Sequence, residues 1–237
     1  MPEIHRNIEA KHGHPVLKGM EMALPVVLGY LTVGFAYGML ARNAGLSLLQ
    51  SGLMSLIVYA GSAQLISVGL FAAGVPPLSI ILTTFIVNIR HLLMSAALAP
   101  YFEQWRTMEK VAFGLELTDE TFALHSSSFS MGMPAKATVF AVNITSQAAW
   151  IAGSLLGAVL SGQVADISTF GLDFALPAMF IALLVVQIKD YRHIVVAVTA
   201  GLLAVLLYVN GIDQWHVLMA ASLAAGFGVL LWQPVQE

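Results

Sequence analysis

Cysteine is absent from the 237 residues, which excludes disulfides, thiolate-held clusters and thiol nucleophiles. Charge is scarce. Asp, Glu, Lys and Arg make up 10% of the chain, against about 25% in a soluble domain, too little to build a water-facing surface. The net charge of −3 and the lack of a basic patch interleaved with aromatics argue against nucleic acid as a partner. Neither His-Glu-x-x-His nor Gly-x-Ser-x-Gly occurs, nor the Gly-rich loop followed by Lys that cradles a nucleotide phosphate. The chain does not read as an enzyme, and no cofactor or metal is expected. Residues 1–18 are polar and lack the apolar core and small-residue cleavage site of a signal peptide. They read as a cytoplasmic tail, with a surface metal on His5, His12 and His14 as the weaker alternative.

What the chain has in abundance is apolar sequence, 58% of residues, in long uninterrupted runs. Such runs predict an all-α, polytopic membrane helical bundle; strands of a membrane β-barrel would alternate apolar and polar residues. Residues 19–232 are expected to form a single transmembrane domain of about eight segments: Met20–Ala41, Ser51–Ala73, Leu78–Ala99, Val111–Met131, Ala137–Leu160, Phe174–Ile188, His193–Val209 and Trp215–Trp232. Gly34-x-x-x-Gly38 leaves a flat face for close helix contact, and Gly153-x-x-x-Gly157 repeats that spacing in the fifth segment. Gly74-Val75-Pro76-Pro77 is a tight turn that sets the second and third segments side by side. Ala23-Leu24-Pro25 returns as Ala175-Leu176-Pro177, a weak echo of the kind that internal repeats leave in transporters.

Three places break the apolar pattern. Arg90 stands halfway along the third segment, within Asn88-Ile89-Arg90-His91, where a full charge costs at least about 2.5–3.5 kcal/mol. It requires a partner, a water-filled cavity or a ligand. Asn88, His91 and Ser95 share one helical face, and Arg90 points off it. The centre of the second segment is Tyr59-Ala60-Gly61-Ser62-Ala63-Gln64. It reads either as a broken helix whose freed backbone faces a ligand or as an unbroken one with Ser62 and Gln64 bonded to a neighbour. The third place, Val111–Met131, holds Glu116, Asp119, Glu120 and His125. It reads as two half-helices, Val111–Leu117 and Asp119–Phe129, meeting at Thr118, which precedes an acidic pair as an N-cap does. The alternative, an amphipathic helix on the surface, leaves seven segments.

The count decides orientation. With eight segments, Arg6, Lys11, Lys18, Lys136, Lys189 and Arg192 lie on the N-terminal side and Arg42, Arg106 and Lys110 on the other, which places both termini in the cytoplasm. With seven the bias reverses. Charges of both signs inside the apolar runs favour a gradient-driven carrier. Arg90 can pair with Glu116, Asp119 or Glu120, and a carboxylate in a dry cavity can bind and release a proton. A static pair that only fixes helix register is the alternative.

Several blocks follow one another over nearly the whole chain: Pro25-x-x-x-Gly29-Tyr30, Gly34-Phe35-Ala36-Tyr37-Gly38, the Tyr59–Gln64 stretch, Asn88-Ile89-Arg90-His91-Leu92-Leu93-Met94, Leu98-Ala99-Pro100, Leu117-Thr118-Asp119-Glu120-Thr121-Phe122-Ala123 and Asp173-Phe174-Ala175-Leu176-Pro177-Ala178-Met179-Phe180. Together they resemble the AzlC family. The resemblance implies the large subunit of a branched-chain amino-acid exporter in the bacterial plasma membrane. Such a subunit works with a small hydrophobic AzlD-type partner and exports valine, leucine, isoleucine and sometimes methionine on the proton gradient.

A zwitterionic substrate then needs a cation or helix N-terminus for its carboxylate, offered by Arg90 or the backbone at Gly61-Ser62. It also needs an acceptor for its ammonium, offered by Asn88, Gln64 or Asp119. Asp119 is the first candidate for proton coupling, with Glu116, Glu120 and His91 after it. An apolar pocket separates side chains one methylene apart by only about 1–3 kcal/mol, so overlapping substrates are expected. An exporter or channel for another small solute, and a non-transporting membrane scaffold, are the competing readings.

Overall fold

The computed structural model describes residues 14–163, 190–212 and 216–231, with isolated positions between 181 and 188. Residues 1–13, most of the expected Phe174–Ile188 segment with its Ala175-Leu176-Pro177 echo, and Trp215 and Trp232 lie outside the described residues. Among the described residues all regular structure is helical. Four helices among the described residues are long and apolar enough to cross a membrane: Pro15–Asn43, Pro77–Phe102, Lys136–Leu160 and Tyr191–Val209. The chain divides into two compact units, Met1–Phe180 and Ile181–Glu237.

In the first unit, α1 (Pro15–Asn43) opens with Pro15 in its first turn, where a missing N–H costs nothing. It ends at Gly45, whose φ of +92° suits glycine. α1 packs along α7 (Lys136–Leu160), and the two glycine pairs noted in the sequence face each other. A Cβ on Gly34 would lie 2.9 Å from the Trp150 carbonyl oxygen, and one on Gly153 would lie 2.7 Å from the Leu31 carbonyl oxygen. Gly38 abuts the Ser154 backbone, Gly157 that of Phe35 and Gly19 that of Thr138. The contacting positions climb together, so α1 and α7 run parallel.

Between them the chain makes two helical hairpins. The first begins with α2 (Leu48–Leu53), capped by Ser47 and continued by a π-helical turn, Met54–Val58. It reverses at Tyr59-Ala60 and returns as α3 (Gly61–Ala72). On the way in, the Ser51 carbonyl accepts from the Tyr37 hydroxyl at 3.3 Å, and Tyr59 meets Tyr30 edge-on. On the way back, Gln64 donates to Ser55 at 3.3 Å, and Ser67, Val68 and Phe71 share an apolar cleft with Leu46, Gln50, Leu53 and Met54. Entrance and exit therefore lie at the same end.

α4 (Pro77–Leu98), extended by a 3₁₀ turn over Ala99–Phe102, runs from that end to the other, antiparallel to α1. Its Ile80 lines the cleft beside Phe71, while Leu98 and Phe102 join a core with Phe113, Phe129 and Val139. There the second hairpin starts. α5 (Thr107–Leu115) leads in, the chain turns at Glu116-Leu117-Thr118, and α6 (Asp119–Ser130) leads back. Phe113 meets the rings of both His125 and Phe129. Thr118 caps α6 as its spacing predicts, its hydroxyl accepting from the Thr121 N–H at 3.3 Å.

Two expected spans are thereby corrected. Ser51–Ala73 and Val111–Met131 break where the sequence indicates, but after the break the chain reverses instead of continuing through. A 12-residue arm is about 18 Å long at about 1.5 Å per residue, short of a hydrocarbon core of roughly 30 Å. Each hairpin reaches about midway and turns back. Arg106 and Lys110 consequently stand at the end that carries Lys18 and Lys136, where Glu109 meets Lys136 at 2.6 Å and Thr138 donates to the Pro15 carbonyl. Arg42 stands at the opposite end, bonded to the Leu46 carbonyl.

In the second unit, α8 (Tyr191–Val209) and α9 (His216–Leu231) pack against each other. The Asp190 carboxylate caps α8, accepting from the backbone N–H groups of Arg192 and His193.

Candidate functional site

The tips of the two hairpins meet midway along α1, α4 and α7. α3 begins at Gly61 and α6 at Asp119, so two helix N-termini converge on one space, each bringing partial positive charge. Arg90 of α4 reaches both tips. One of its terminal nitrogens lies 2.8 Å from Asp119 Oδ2, and the other donates to the Ser62 hydroxyl. Its Nε is buried and has no hydrogen-bond partner among the described residues. The charge that looked intolerable in the sequence is thus shared between the two half-length arms.

α1 supplies the second tie. The Tyr30 hydroxyl lies 2.5 Å from Thr118 Oγ1 and donates to Glu120 Oε2 at 2.6 Å. α7 supplies the back wall. The Trp150 indole N–H donates to Gln64 Oε1 at 3.1 Å, its ring stacks on Tyr37 and meets Tyr30 edge-on, and a Cβ on Gly61 would lie 2.9 Å from it. Tyr59, at the first tip, holds φ 41° and ψ 48°. A side chain of its bulk in the left-handed region stores about 1–3 kcal/mol, and among the described residues it is the non-glycine with positive φ.

These residues enclose a small cavity lined by Tyr30, Tyr59, Ala60, Gly61, Ser62, Arg90, His91, Thr118, Asp119, Glu120 and Trp150. The space open to the centre of a water molecule is about 10 Å³, room for about one water. That space is too small for an amino acid. Of the sequence-derived candidates, Gly61, Ser62, Arg90, His91, Asp119 and Glu120 face the cavity. Gln64 lies one layer behind, engaged by Trp150, Ser55 and the Ala60 N–H. Asn88 and Glu116 are not on its wall.

Sequence reasoning missed Tyr30 and Trp150, which look like ordinary aromatics in apolar helices. It treated Tyr59 and Thr118 only as markers of a break. A second polar cluster lies below: buried His125 meets Asn143 Oδ1 at 2.7 Å, and its ring stacks on Phe129. At the end of the bundle, the hydrogen bond from Lys136 and the Arg106 backbone N–H hold the Glu109 carboxyl below its ordinary range.

Residues 25–164 match the family model described as AzlC protein. The chain is 31% identical over 207 residues to an uncharacterised membrane protein of Archaeoglobus fulgidus, covering 86% of this chain and 90% of the relative. It is 30% identical over 198 residues to the inner membrane protein YgaZ of Escherichia coli, covering 80% and 79%. It is 25% identical over 219 residues to the branched-chain amino acid transport protein AzlC of Bacillus subtilis, covering 90% and 84%. No solved structure matches.

Proposed function

The chain belongs to the AzlC family, a family of transport proteins rather than enzymes, and from that premise we propose that it exports branched-chain amino acids. Valine, leucine, isoleucine and methionine are the substrates, and the proton gradient is the energy source. The cavity between the hairpin tips carries this reading. It lies halfway along the bundle, it holds a guanidinium and two helix N-termini suited to a carboxylate, and it is closed toward each end by one hairpin. Withdrawal of the first hairpin opens it toward the Arg42 end, and withdrawal of the second toward the Lys136 end.

Arg90 is the hinge of the chemistry. It serves Asp119 and Ser62 in the closed cavity. An arriving substrate carboxylate competes for the same planar fork, which suits bidentate pairing. Asp119, released from Arg90, is the group that takes the proton, and the backbone at Gly61 and Ser62 completes the carboxylate site. His91 stands beside it on the wall. Glu120 and His91 on the same wall, and Glu116 off it, are the other proton-site candidates.

The protein sits in the bacterial inner membrane with its N-terminus in the cytoplasm. Lys18, Arg106, Lys110 and Lys136 gather at one end and Arg42 stands at the other, a stronger positive-inside bias than eight straight spans would give. A small AzlD-type subunit is its partner. The test loads cells with leucine- or valine-containing dipeptides and follows the free amino acid inside. Cells with the protein clear it faster than cells without it; equal clearance in both would overturn the assignment.

A further inference from the structure

The carboxylate of a zwitterion finds its receptor at Arg90, but its ammonium does not find one where the sequence placed it. Gln64 is spent on Trp150, Ser55 and the Ala60 N–H. Asn88 is off the cavity wall, and Asp119 is held by Arg90. Of the two carboxyl groups that line the cavity, Asp119 pairs with Arg90, and among the described residues no cation pairs with Glu120. Around Glu120 stand three aromatic rings. Tyr30 bonds its carboxylate and meets Tyr59 and Trp150 edge-on, with ring centroids 6.3 Å and 5.3 Å away.

Tyr59 is the telling residue. A turn that only had to reverse the chain would carry glycine where φ is positive. This one carries a tyrosine that is 3% exposed, on the cavity wall; among the described residues its hydroxyl makes no hydrogen bond of ordinary geometry, the neighbouring Tyr30 hydroxyl being spent on Thr118 and Glu120. An unpaired buried hydroxyl costs about 1–3 kcal/mol. Strain and an unmet hydrogen bond at the same residue mark a side chain held in place for a ligand.

The geometry points to an ammonium subsite formed by the Glu120 carboxylate and the Tyr59 hydroxyl and walled by the rings of Tyr30, Tyr59 and Trp150, separate from the carboxylate subsite at Arg90. A primary ammonium has three N–H donors and no acceptor. One goes to the carboxylate and one to the phenol oxygen, and the rings shield the charge from water. The subsite rests on the amino-acid reading above and fixes the direction of the substrate, ammonium toward α1 and α7 and carboxylate toward α4.

The experiment uses the purified full-length protein in lipid nanodiscs and titration calorimetry with three probes: leucine, 4-methylpentanoate, which lacks the ammonium, and 3-methylbutylamine, which lacks the carboxylate. Tyr59→Phe removes one oxygen, and Glu120→Gln keeps an acceptor for Tyr30 while removing the charge. Each is expected to weaken leucine and 3-methylbutylamine by at least about tenfold, the scale of a hydrogen bond to a charged group, and to leave 4-methylpentanoate within about twofold. Arg90→Gln is expected to do the reverse. The subsite is refuted if Tyr59→Phe and Glu120→Gln bind leucine as wild type does, or weaken 4-methylpentanoate as much as leucine. Binding of 3-methylbutylamine that depends on Glu120, with no binding of leucine by the wild type, would uphold the subsite and sink the amino-acid reading instead.

Discussion

Alanine at Gly153 measures how far the closeness of α1 and α7 governs the cavity. The added Cβ would stand 2.7 Å from the Leu31 carbonyl oxygen, 3.0 Å from that of Tyr30 and 3.1 Å from Leu31 Cα. All three are backbone atoms, so no side chain can swing aside. Ordinary contact begins near 3.4 Å, and α1 must recede by about 0.7 Å at this turn, at an overpacking cost of about 1–3 kcal/mol. Tyr30 sits on the receding turn. Its bonds to Thr118 and Glu120, 2.5 and 2.6 Å long, would stretch past the usual O–H···O limit of about 3.0 Å.

Two readouts follow. The thermal midpoint should fall by about 2–4 °C for each kcal/mol. Leucine counterflow in proteoliposomes should fall further than the stability loss explains, since misplacement of about 1 Å can cost up to about 100-fold. Gly29→Ala is the control, on the same helix with no atom within 4 Å of the added Cβ, and should match wild type in both assays. If Gly153→Ala is as stable and active as wild type, or Gly29→Ala is equally damaged, the interface does not position Tyr30 as argued.

Three further predictions follow from other parts of the fold. Because cysteine is absent, Arg42→Cys and Lys110→Cys can be labelled without background; a membrane-impermeant maleimide should reach them from opposite faces, and labelling from one face would restore a through-running Ser51–Ala73. His125→Ala takes away the partner of Asn143 Oδ1 in a site where both residues are buried and empties the space between Phe113 and Phe129; a loss of about 2–4 kcal/mol is expected in denaturant melts, and a loss as small as that of an exposed alanine would show the cluster to be slack. Glu109 has its carboxyl held below the ordinary range by Lys136, so its contribution is present above about pH 4.3, the unfolded value, and is lost as pH falls through the lowered folded value. The thermal midpoints of wild type and Glu109→Gln should therefore converge in acid, and a gap that widens there would contradict the pairing.

The long helices were legible because their signal is simple: Pro at the start, a run of apolar residues, and Gly at a turn. The two breaks were legible too. Gly61-Ser62 interrupts an apolar run with a small pair, and Thr118 before Asp119-Glu120 is an N-cap wherever it stands. What the sequence did not carry was the reversal after each break. A hairpin with arms of 9 to 12 residues and a single membrane span have much the same length and hydropathy, and only tertiary contacts such as Gln64 with Ser55 tell them apart. The same limit hid Tyr30 and Trp150. Their roles come from what faces them, Glu120 and Gln64, on elements some 90 residues away in sequence.

A long helix followed by a hairpin at its far end occurs twice here, once in each direction, as α1 with α2 and α3 and then as α4 with α5 and α6. For a carrier this has an energetic meaning. In the carrier reading, opening toward one end releases the first tip from Arg90, and with it the Ser62 hydroxyl, and opening toward the other releases the second, with the Asp119 carboxylate. The two open states are thus built from the same parts in opposite order, and their populations follow the difference between those two contacts together with the gradients across the membrane.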